Sequence, residues 1–470
     1  MTQKRTEELN EISDKILSHT KQLANTETDL TQRGVNIRQP PYNAKGDGVT
    51  DDTIPIQSAI TYAQDNSMSL YIPSGTYLTS QTLHIGKRLR FYGDGMRTTK
   101  IKYNGDSAAL KIKPSSSQHS TFYNLHDFSI EPIIGGRGTH GLEIELIAGS
   151  YFSNWEIHRI YIGDFGSYGI FLNNNINNSN GFFTGTLRRS WITNGIKGTK
   201  VGDSIIISEN TITGKNTGVS FTHQPGSGQV VIRENNITTT GGAISLIGGE
   251  KPIIVNNQME HPRYLGNYTG SVRGFINLKD TVSAEIRGNT LSTSASAIIA
   301  ADFAIYFDGT CALCVITNNT LVKGKVGHVG FGATAYSNII KDDNSYDTSR
   351  ANRVFMNTGV KNKGIDVLIK PQSGWVAYDI ASDVYVKKLE NGLIILRGAI
   401  KNGAITQTTT IITLPDGFRP NRVKRFQVTN FDGLEFSSAT ILIQTSGAIQ
   451  IMAAKANNLL QLDGISFTED

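Results

Sequence analysis

The chain is poor in cysteine, proline and tryptophan, and it has no long apolar run. Its 470 residues include 2 cysteines, 12 prolines and 3 tryptophans. Two cysteines exclude a disulfide framework, and the lack of an apolar segment of about 18 residues excludes a membrane-spanning helix. No signal-peptide pattern opens the sequence. We therefore expect a protein made in the cytoplasm, neither exported by that route nor inserted into a membrane.

Charge of either sign is also sparse. Charged residues make up 18% of the chain and the net charge is +5, which permits weak attraction to polyanions but does not indicate a nucleic-acid-binding protein. The two cysteines, Cys311 and Cys314, lie in a β-type run, whereas a redox pair usually begins a helix. A zinc site would need a second ligand pair. We predict two buried thiols, no metal and no cofactor.

What the sequence does contain is a repeated phrase. Asparagine closes a run of β-branched residues and is followed two positions later by an aliphatic or Met side chain. The phrase recurs every 20–30 residues or so, the range typical of solenoids. The repeating asparagines are Asn210, Asn235, Asn257, Asn289 and Asn319.

These residue types predict a parallel β-helix. Asparagine tolerates the left-handed backbone of a tight bend, and its amide can bond to the asparagine one coil away. Coils would stack at the strand spacing of about 4.8 Å, each contacting mainly its neighbours. The alternative is an antiparallel sandwich with Asn-rich turns.

Residues 1–33 form a separate unit with a heptad pattern, which predicts an α-helical coiled coil. So short a helix is marginal alone, so we expect it to pair with copies of itself, and its core residues favour more than two strands. The alternative is a helix that packs on its own domain. The core positions are Leu9, Ile12, Ile16, His19, Leu23, Thr26 and Leu30.

Residues 34–100 carry three motifs in a fixed order. Residues 46–53 read GDGVTDDT before an amphipathic helix, residues 72–77 read IPSGTY, and residues 92–95 read YGDG. This order resembles the capping segment of the pectate-lyase-like right-handed parallel β-helix family, which includes bacteriophage tail spikes and polysaccharide-degrading enzymes. The resemblance implies that Asp47, Asp51 and Asp52 are structural, and one of the last two can cap the helix.

The rest of the chain divides into three parts. Residues 101–345 continue the β-helix, residues 346–365 read as a polar linker, and residues 366–470 alternate as in an antiparallel β-sandwich. Residues 414–420, LPDGFRP, and 462–467, LDGISF, resemble C-terminal domains of tail fibres from phages of Gram-positive bacteria.

These resemblances imply a phage tail spike or tail fibre, located in the virion. Its expected partners are two further copies of itself, the phage baseplate or tail through the N-terminus, and host teichoic acid or capsular polysaccharide. The protein would bind the glycan and cleave it as a depolymerase. Two alternatives stay open, namely a glycan-binding protein without catalysis and a structural baseplate subunit.

Paired carboxylates are the candidate catalytic groups. Glu209 and Glu234 each precede a repeating asparagine, so stacking would bring them about 5 Å apart, as a retaining glycosidase requires. Asp164, on a turn, is a third candidate. Arg189 would occupy the same column in the preceding coil, where it could hold a substrate anion. The competing interpretation is a pair of solvated glutamates offset by arginines.

A lyase would need a basic residue and usually calcium held by clustered aspartates, and no such cluster is evident, so a hydrolase is favoured. Aromatic rings amid polar neighbours could stack on sugars. The substrate-binding candidates are Phe182, Tyr264 and Tyr268.

Overall fold

The computed structural model forms two compact units, an N-terminal unit, Met1–Asn180, and a C-terminal unit, Gly181–Asp470. Tyr264, Tyr268 and the heptad residues Leu9, Leu23, Thr26 and Leu30 lie outside the described residues. The structure describes residues 12–22, 34–114, 119–135, 137–175, 181–224, 226–261, 273–293, 301–322, 324–332, 335, 338–340, 344–346, 354–356, 366–379, 382–389 and 392–470.

In the N-terminal unit, successive coils each contribute short strands that pair in parallel with the equivalent strands of the next coil. Leu70, Phe91, Leu125 and Ile157 lie in one register column, and all four are buried. The helices are α1, residues 12–22, and α2, Thr53–Asp65, and the strands are β1 Val35–Asn36, β2 Asp47–Asp51, β3 Leu70–Ile72, β4 Gly75–Thr79, β5 Leu83–Ile85, β6 Arg90–Gly93, β7 Thr99–Tyr103, β8 Leu110–Ile112, β9 His119–Thr121, β10 Asn124–Pro132, β11 His140–Glu145, β12 Tyr151–Ser153, β13 Trp155–Ile162 and β14 Tyr168–Asn173.

The segment predicted as a cap is built into this β-helix. Strands β3 and β4 pair with β6 and β7 of the following coil, while α2 buries Ile56, Ala59, Ile60 and Ala63 as its amphipathic pattern predicts. The buried Asp52 carboxylate accepts hydrogen bonds from the backbone N–H groups of Lys45 and Gly46 at 2.7 and 2.9 Å. The Asp51 carboxylate accepts from the N–H of Thr53 at 3.0 Å, so both aspartates hold local structure.

The C-terminal unit continues with three rows of parallel strands. Each coil places one residue of a column such as Ile207, Ile232, Ile254, Ile286 and Ile316 in the buried interior. The prediction of a parallel β-helix is confirmed. These strands are β15 Gly185–Arg188, β16 Trp191–Thr193, β17 Ile196–Val201, β18 Ile205–Ser208, β19 Thr211–Gly214, β20 Val219–His223, β21 Val230–Arg233, β22 Asn236–Thr239, β23 Ile244–Ile247, β24 Ile253–Val255, β25 Gln258–His261, β26 Gly274–Lys279, β27 Glu285–Arg287, β28 Thr290–Thr293, β29 Phe303–Asp308, β30 Val315–Thr317, β31 Thr320–Leu321, β32 Gly327–Phe331, β33 Ile339–Ile340, β34 Ser345–Tyr346 and β35 Val354–Met356.

The repeating asparagines form the expected ladder. Each Nδ2 donates to the Oδ1 of the asparagine in the next coil at 2.9–3.0 Å, and the ladder extends to Asn344. Each Nδ2 also donates to a carbonyl of the preceding coil, as Asn235 does to Ile207 at 2.9 Å. Because every ladder asparagine is buried, these bonds satisfy polar groups that would otherwise destabilise the interior.

The end of the β-helix differs from the prediction. Strand β35, within the segment predicted as a linker, pairs in parallel with β32 through Val329 and Val354. The three apolar residues Val354, Phe355 and Met356 add one more strand to the row of β32, although the polar stretch around them predicted no strand. Residues 347–353 and 357–365 of that segment lie outside the described residues.

The remaining strands, in residues 366–470, are antiparallel, in sheets of four and seven strands. Their buried side chains, among them Trp375, Val386, Ile441 and Phe418, share one apolar core, as predicted for a sandwich. These strands are β36 Asp366–Ile369, β37 Val376–Ala377, β38 Val384–Lys388, β39 Ile394–Arg397, β40 Ala399–Lys401, β41 Thr410–Thr413, β42 Lys424–Phe431, β43 Phe436–Ile443, β44 Ala448–Ala453, β45 Leu459–Gln461 and β46 Ser466–Phe467.

Candidate functional site

The candidate catalytic glutamates occupy bends between paired rows of strands. Glu209 lies between β18 and β19 and Glu234 between β21 and β22, and both have φ of 57°. Arg189 holds the same position between β15 and β16 with φ of 52°. The left-handed residue is therefore the one before the ladder asparagine, not the asparagine itself as expected. The asparagine turns its amide inward, so the bend has to be made one residue earlier.

The register brings Glu209 and Glu234 to equivalent places on consecutive coils. Strands β18 and β21 pair residue for residue up to Ser208 and Arg233, and the N–H of Glu209 donates to the carbonyl of Arg233 at 3.2 Å. Their side chains are 35% and 45% exposed. The predicted column is present, and both carboxylates reach solvent.

Arginines compensate both carboxylates. Arg189 Nε lies 2.7 Å from Glu209 Oε2, and Arg233 Nη1 lies 3.3 Å from Glu234 Oε2. The hydrogen bond from Arg189 lowers the pKa of Glu209 below its usual value. An ionised carboxylate suits a nucleophile or an anchor for a cation, and it does not suit a general acid.

The bend is convex towards solvent. Asn210 and Asn235, directly after the two glutamates, are buried, so the interior lies on their side and the glutamates occupy the outer corner. A convex corner has no walls that exclude water from reacting groups. It can contact an extended polymer along several coils.

The structure describes two further predicted site residues, Phe182 and Asp164. Phe182 is fully buried, so its ring cannot offer a face to a sugar, and its predicted substrate-binding role conflicts with this position. The apolar ring is buried although the residues before Gly181 and after Phe183 in the sequence are polar. Asp164 is exposed on the turn after β13, in the N-terminal unit. Trp191 is 46% exposed and its indole N–H donates to Thr213 Oγ1 at 3.4 Å.

The structure also shows a column of stacked rings in the N-terminal unit, made of two half-buried tyrosines and two buried histidines. Tyr71, Tyr92, His126 and His158 stack in successive coils, with centroids 5.3, 5.4 and 4.7 Å apart. Arg90 lies over the Tyr92 ring at 4.8 Å and bonds to His126 Nε2 at 3.3 Å. These distances are close to the strand spacing of about 4.8 Å, and the rings occupy paired register positions, so the stack follows from the register.

Charged groups flank this ring column. The guanidinium of Arg159 donates to both oxygens of Asp127 at 2.7 Å, and His126 Nδ1 lies 2.6 Å from Asp127. Mainly through the Arg159 hydrogen bonds, the pKa of Asp127 is lowered to about 2. An Asp–His pair can hold one imidazole tautomer in place.

Sequence reasoning missed the ring column, although a signal is visible. In each coil a buried apolar residue precedes the ring, as Leu70 precedes Tyr71 and Leu125 precedes His126. The rings are separated by loops of unequal length, so only the strand register shows that they align.

A second missed cluster is a network of acids and lysines on β8, β11, β14 and the residue directly after β8. Lys111 Nζ lies 3.1 Å from Glu143 and also pairs with Glu145, which Lys113 contacts at 2.6 Å. Asn173 Nδ2 donates to Glu143 at 2.8 Å. The lysines lower the pKa of Glu145 against the effect of burial, so the network is a set of compensated charges.

The described residues contain no cluster of three or more histidine, cysteine, aspartate or glutamate side chains that could bind a metal. Cys311 and Cys314 are buried, as predicted, and burial raises their pKa values to about 12 and about 11. No helix within the described ranges is long and apolar enough to cross a membrane.

Comparison with known proteins relates this architecture to one family. The family described as rhamnogalacturonase A/epimerase, pectate lyase-like, matches residues 35–285. A preneck appendage protein of Bacillus phage PZA is 31% identical over 144 residues, which cover 29% of this chain and 16% of that protein. The chain thus matches only a small part of this relative's length.

Solved structures share the fold at low sequence identity. A Geobacillus virus E2 protein, ORF18, superposes with a TM-score of 0.52 at 13% identity, covering 95% of this chain and 81% of that chain. The DFA-IIIase of Arthrobacter chlorophenolicus A6 in complex with DFA-III gives 0.50 at 11%, covering 68% and 100%. The predicted resemblance to phage tail proteins with a pectate-lyase-like β-helix is confirmed.

Proposed function

Because the chain belongs to the rhamnogalacturonase A/epimerase, pectate lyase-like family, we propose that it is a phage tail appendage that binds and depolymerises host surface polysaccharide. The phage assignment is supported by the 31% identity with the appendage protein of a Bacillus phage. We infer from this a location in the virion, with attachment to the tail through the N-terminus and a Gram-positive host. The family relationship supports a polysaccharide as the substrate class.

The observation that carries the proposed chemistry is the presence of Glu209 and Glu234 at one register position on consecutive coils, both exposed. Coil spacing of about 4.8 Å matches the separation of about 5–5.5 Å needed for retaining hydrolysis. The lowered pKa of Glu209 suits the nucleophile, which leaves Glu234 as the acid.

In this scheme Glu209 attacks the anomeric carbon and the glycosidic C–O bond breaks. Glu234 gives its proton to the departing oxygen. Water then attacks the glycosyl ester, returns a proton to Glu234 and releases Glu209. Arg189, which contacts Glu209, would also attract a phosphate or carboxylate of teichoic acid or an acidic capsule, in keeping with the net charge of +5.

A second candidate is binding without cleavage. The specific observation in its favour is that Glu209 and Glu234 each contact an arginine on the outer corner of a bend. Such pairs stabilise charge in solvent and need no catalytic role. A third candidate, a structural baseplate subunit, predicts that the protein is not retained on host cell walls.

Release of reducing ends from host wall polymer distinguishes these candidates. Purified protein should release them, whereas Glu209→Gln and Glu234→Gln should each lower the rate about 100-fold or more and keep binding. The matched control is Glu285→Gln, since Glu285 also pairs with an arginine, Arg287, but does not occupy a bend. Equal rates in all variants would remove this pair, and binding without product would favour the second candidate.

A further inference from the structure

The N-terminal unit contains an open groove that none of the proposed chemistry uses. It runs between the exposed side of α2 and the loop after β7, and its volume is about 670 Å³. Ligand clefts in proteins have volumes of roughly 300–1,000 Å³, so the groove is large enough for a small ligand. Its lining includes Gln57, Ser58, Gln81, His84, Asn104 and Ser107.

Several of these polar groups have unused hydrogen-bonding capacity. Within the described chain, the side chains of Ser58, Gln81 and Ser107 make no hydrogen bond, and neither does the imidazole of His84. Hydroxyl, amide and neutral imidazole groups can each donate and accept. Burial, with Lys111 and Lys113 nearby, lowers the pKa of His84, so its ring is neutral at neutral pH.

The groove walls are held in place by other contacts. Gln57 Nε2 donates to the carbonyl of His84 at 3.0 Å while its Oε1 accepts from the N–H of His84 at 2.7 Å. Thr82 Oγ1 donates to the carbonyl of Ala108 at 2.7 Å. The unused groups thus project from a preorganised frame, which lowers the entropic cost of binding.

The lining carries little uncompensated charge. Its acidic residue Asp106 pairs with Arg137 at 2.9 Å, and the same guanidinium donates to Asn104 Oδ1 at 2.9 Å. No lysine or arginine belongs to the lining, so an anion would find no direct partner. Ile54, 78% exposed at the groove, offers an apolar contact to the C–H face of a sugar.

We propose that this groove binds a neutral, hydroxyl-rich saccharide unit. Groups that both donate and accept match hydroxyls, which do the same, and the absence of a cation in the lining disfavours phosphate. This inference rests on the proposed function in one respect, namely that the saccharide belongs to the glycan of the host wall. It assigns to the N-terminal unit a neutral-sugar subsite that shares no residue with the Glu209–Glu234 pair.

The test measures binding of neutral trisaccharides of glucose, galactose and N-acetylglucosamine, with oligomeric glycerol phosphate as the anionic probe. At least one trisaccharide should bind, and Ser58→Trp, which fills the groove, should raise its Kd about tenfold or more. Gln81→Ala should weaken the binding of the same trisaccharide. The matched control is Thr61→Trp, an exposed position on the same helix but outside the lining. Circular dichroism establishes that each variant folds.

The two proposals fail separately. If no trisaccharide binds, if Ser58→Trp and Gln81→Ala bind as the unchanged protein does, or if glycerol phosphate competes for the groove, the neutral-sugar subsite is overturned. Glu209→Gln should leave trisaccharide binding unchanged. If host walls neither retain the protein nor yield reducing ends while trisaccharides still bind the groove, the proposed function fails and the subsite stands.

Discussion

Two pairs of charged residues at left-handed bends link equivalent positions of neighbouring coils. Asp127 and Arg159 have φ of 63° and 50° and form one such pair, while Arg189 and Glu209 form another. A left-handed conformation costs a non-glycine residue roughly 1–2 kcal/mol. These residues therefore occupy positions at which the backbone alone would favour glycine. The ion pair between their side chains offsets part of the cost of the left-handed conformation.

The Asp127–Arg159 pair makes stability depend on pH. Arg159 holds the pKa of Asp127 at about 2, below its unfolded value, so its stabilisation is fully present above about pH 4 and is lost as pH falls towards 2. With Arg159 half-exposed, we expect a contribution of about 1–2 kcal/mol. Arg159→Gln should lower the free energy of unfolding by that amount at pH 6 and by little near pH 2, measured by urea denaturation.

A comparable surface pair provides the control. Arg137 contacts Asp106, whose side chain is 85% exposed, so Arg137→Gln should change stability by less than about 0.5 kcal/mol. An equal loss in both variants at both pH values would contradict a specific role for Asp127.

Position 234 allows catalysis and stability to be separated. Because Glu234 has φ of 57°, Glu234→Gly should leave the free energy of unfolding unchanged or raise it by up to about 1 kcal/mol. The same change removes the proposed acid and should abolish turnover. Arg233, in strand β21, is the matched site, where Arg233→Gly should destabilise by about 1 kcal/mol. A folded, active Glu234→Gly protein would exclude Glu234 from the chemistry.

At the scale of the coil, the asparagine ladder does more than close a turn. Asn235 Oδ1 accepts from both the backbone N–H and the Nδ2 of Asn210, and its own Nδ2 donates to Ile207 and Asn257. One side chain thus satisfies groups in the coils on either side. This contact couples adjacent coils, which otherwise interact through strand pairing and apolar packing.

Removal of one member should be costly. Asn235→Ala leaves buried donors and acceptors of Asn210, Ile207 and Asn257 without these partners, so we expect a loss of about 3 kcal/mol or more in unfolding free energy. Asn236→Ala, at the exposed next position, should cost under about 0.5 kcal/mol. Thermal and urea unfolding measure both, and similar losses would show that the ladder contributes no special stability.

The sequence predicts these coils well because one residue type repeats at one structural position. It could not show which residue is left-handed, because asparagine itself tolerates that conformation. The residues that do adopt it, such as Glu209, Asn256 and Gly288, are of different types and so form no visible repeat. The ring column remained hidden because loops of unequal length separate His126 from Tyr92 and His158. The groove beside α2 combines side chains from a helix and two coils, a proximity that no sequence spacing encodes.

At the scale of the whole protein, α1 buries none of its residues against the other parts of the chain that the structure describes. Every residue of the helix over residues 12–22 is exposed, including Ile12 and Ile16, and a helix of this length is marginal in water. The heptad pattern supplies the missing apolar surface if copies of the chain associate. We therefore propose that α1 joins three copies, and that the antiparallel domain adds contacts at the other end of the chain.

The oligomeric state tests this proposal directly. Ile16 belongs to the heptad core, whereas Leu17, equally apolar and also exposed, lies outside it. Ile16→Glu places a charge on the proposed axis and should convert trimers to monomers in analytical ultracentrifugation, because burial of an unpaired carboxylate opposes association. Leu17→Glu should leave the trimer intact. If the unchanged protein sediments as a monomer, or if both variants dissociate equally, the helix does not assemble through this seam, and any avidity for a repeating wall polymer has to come from another contact.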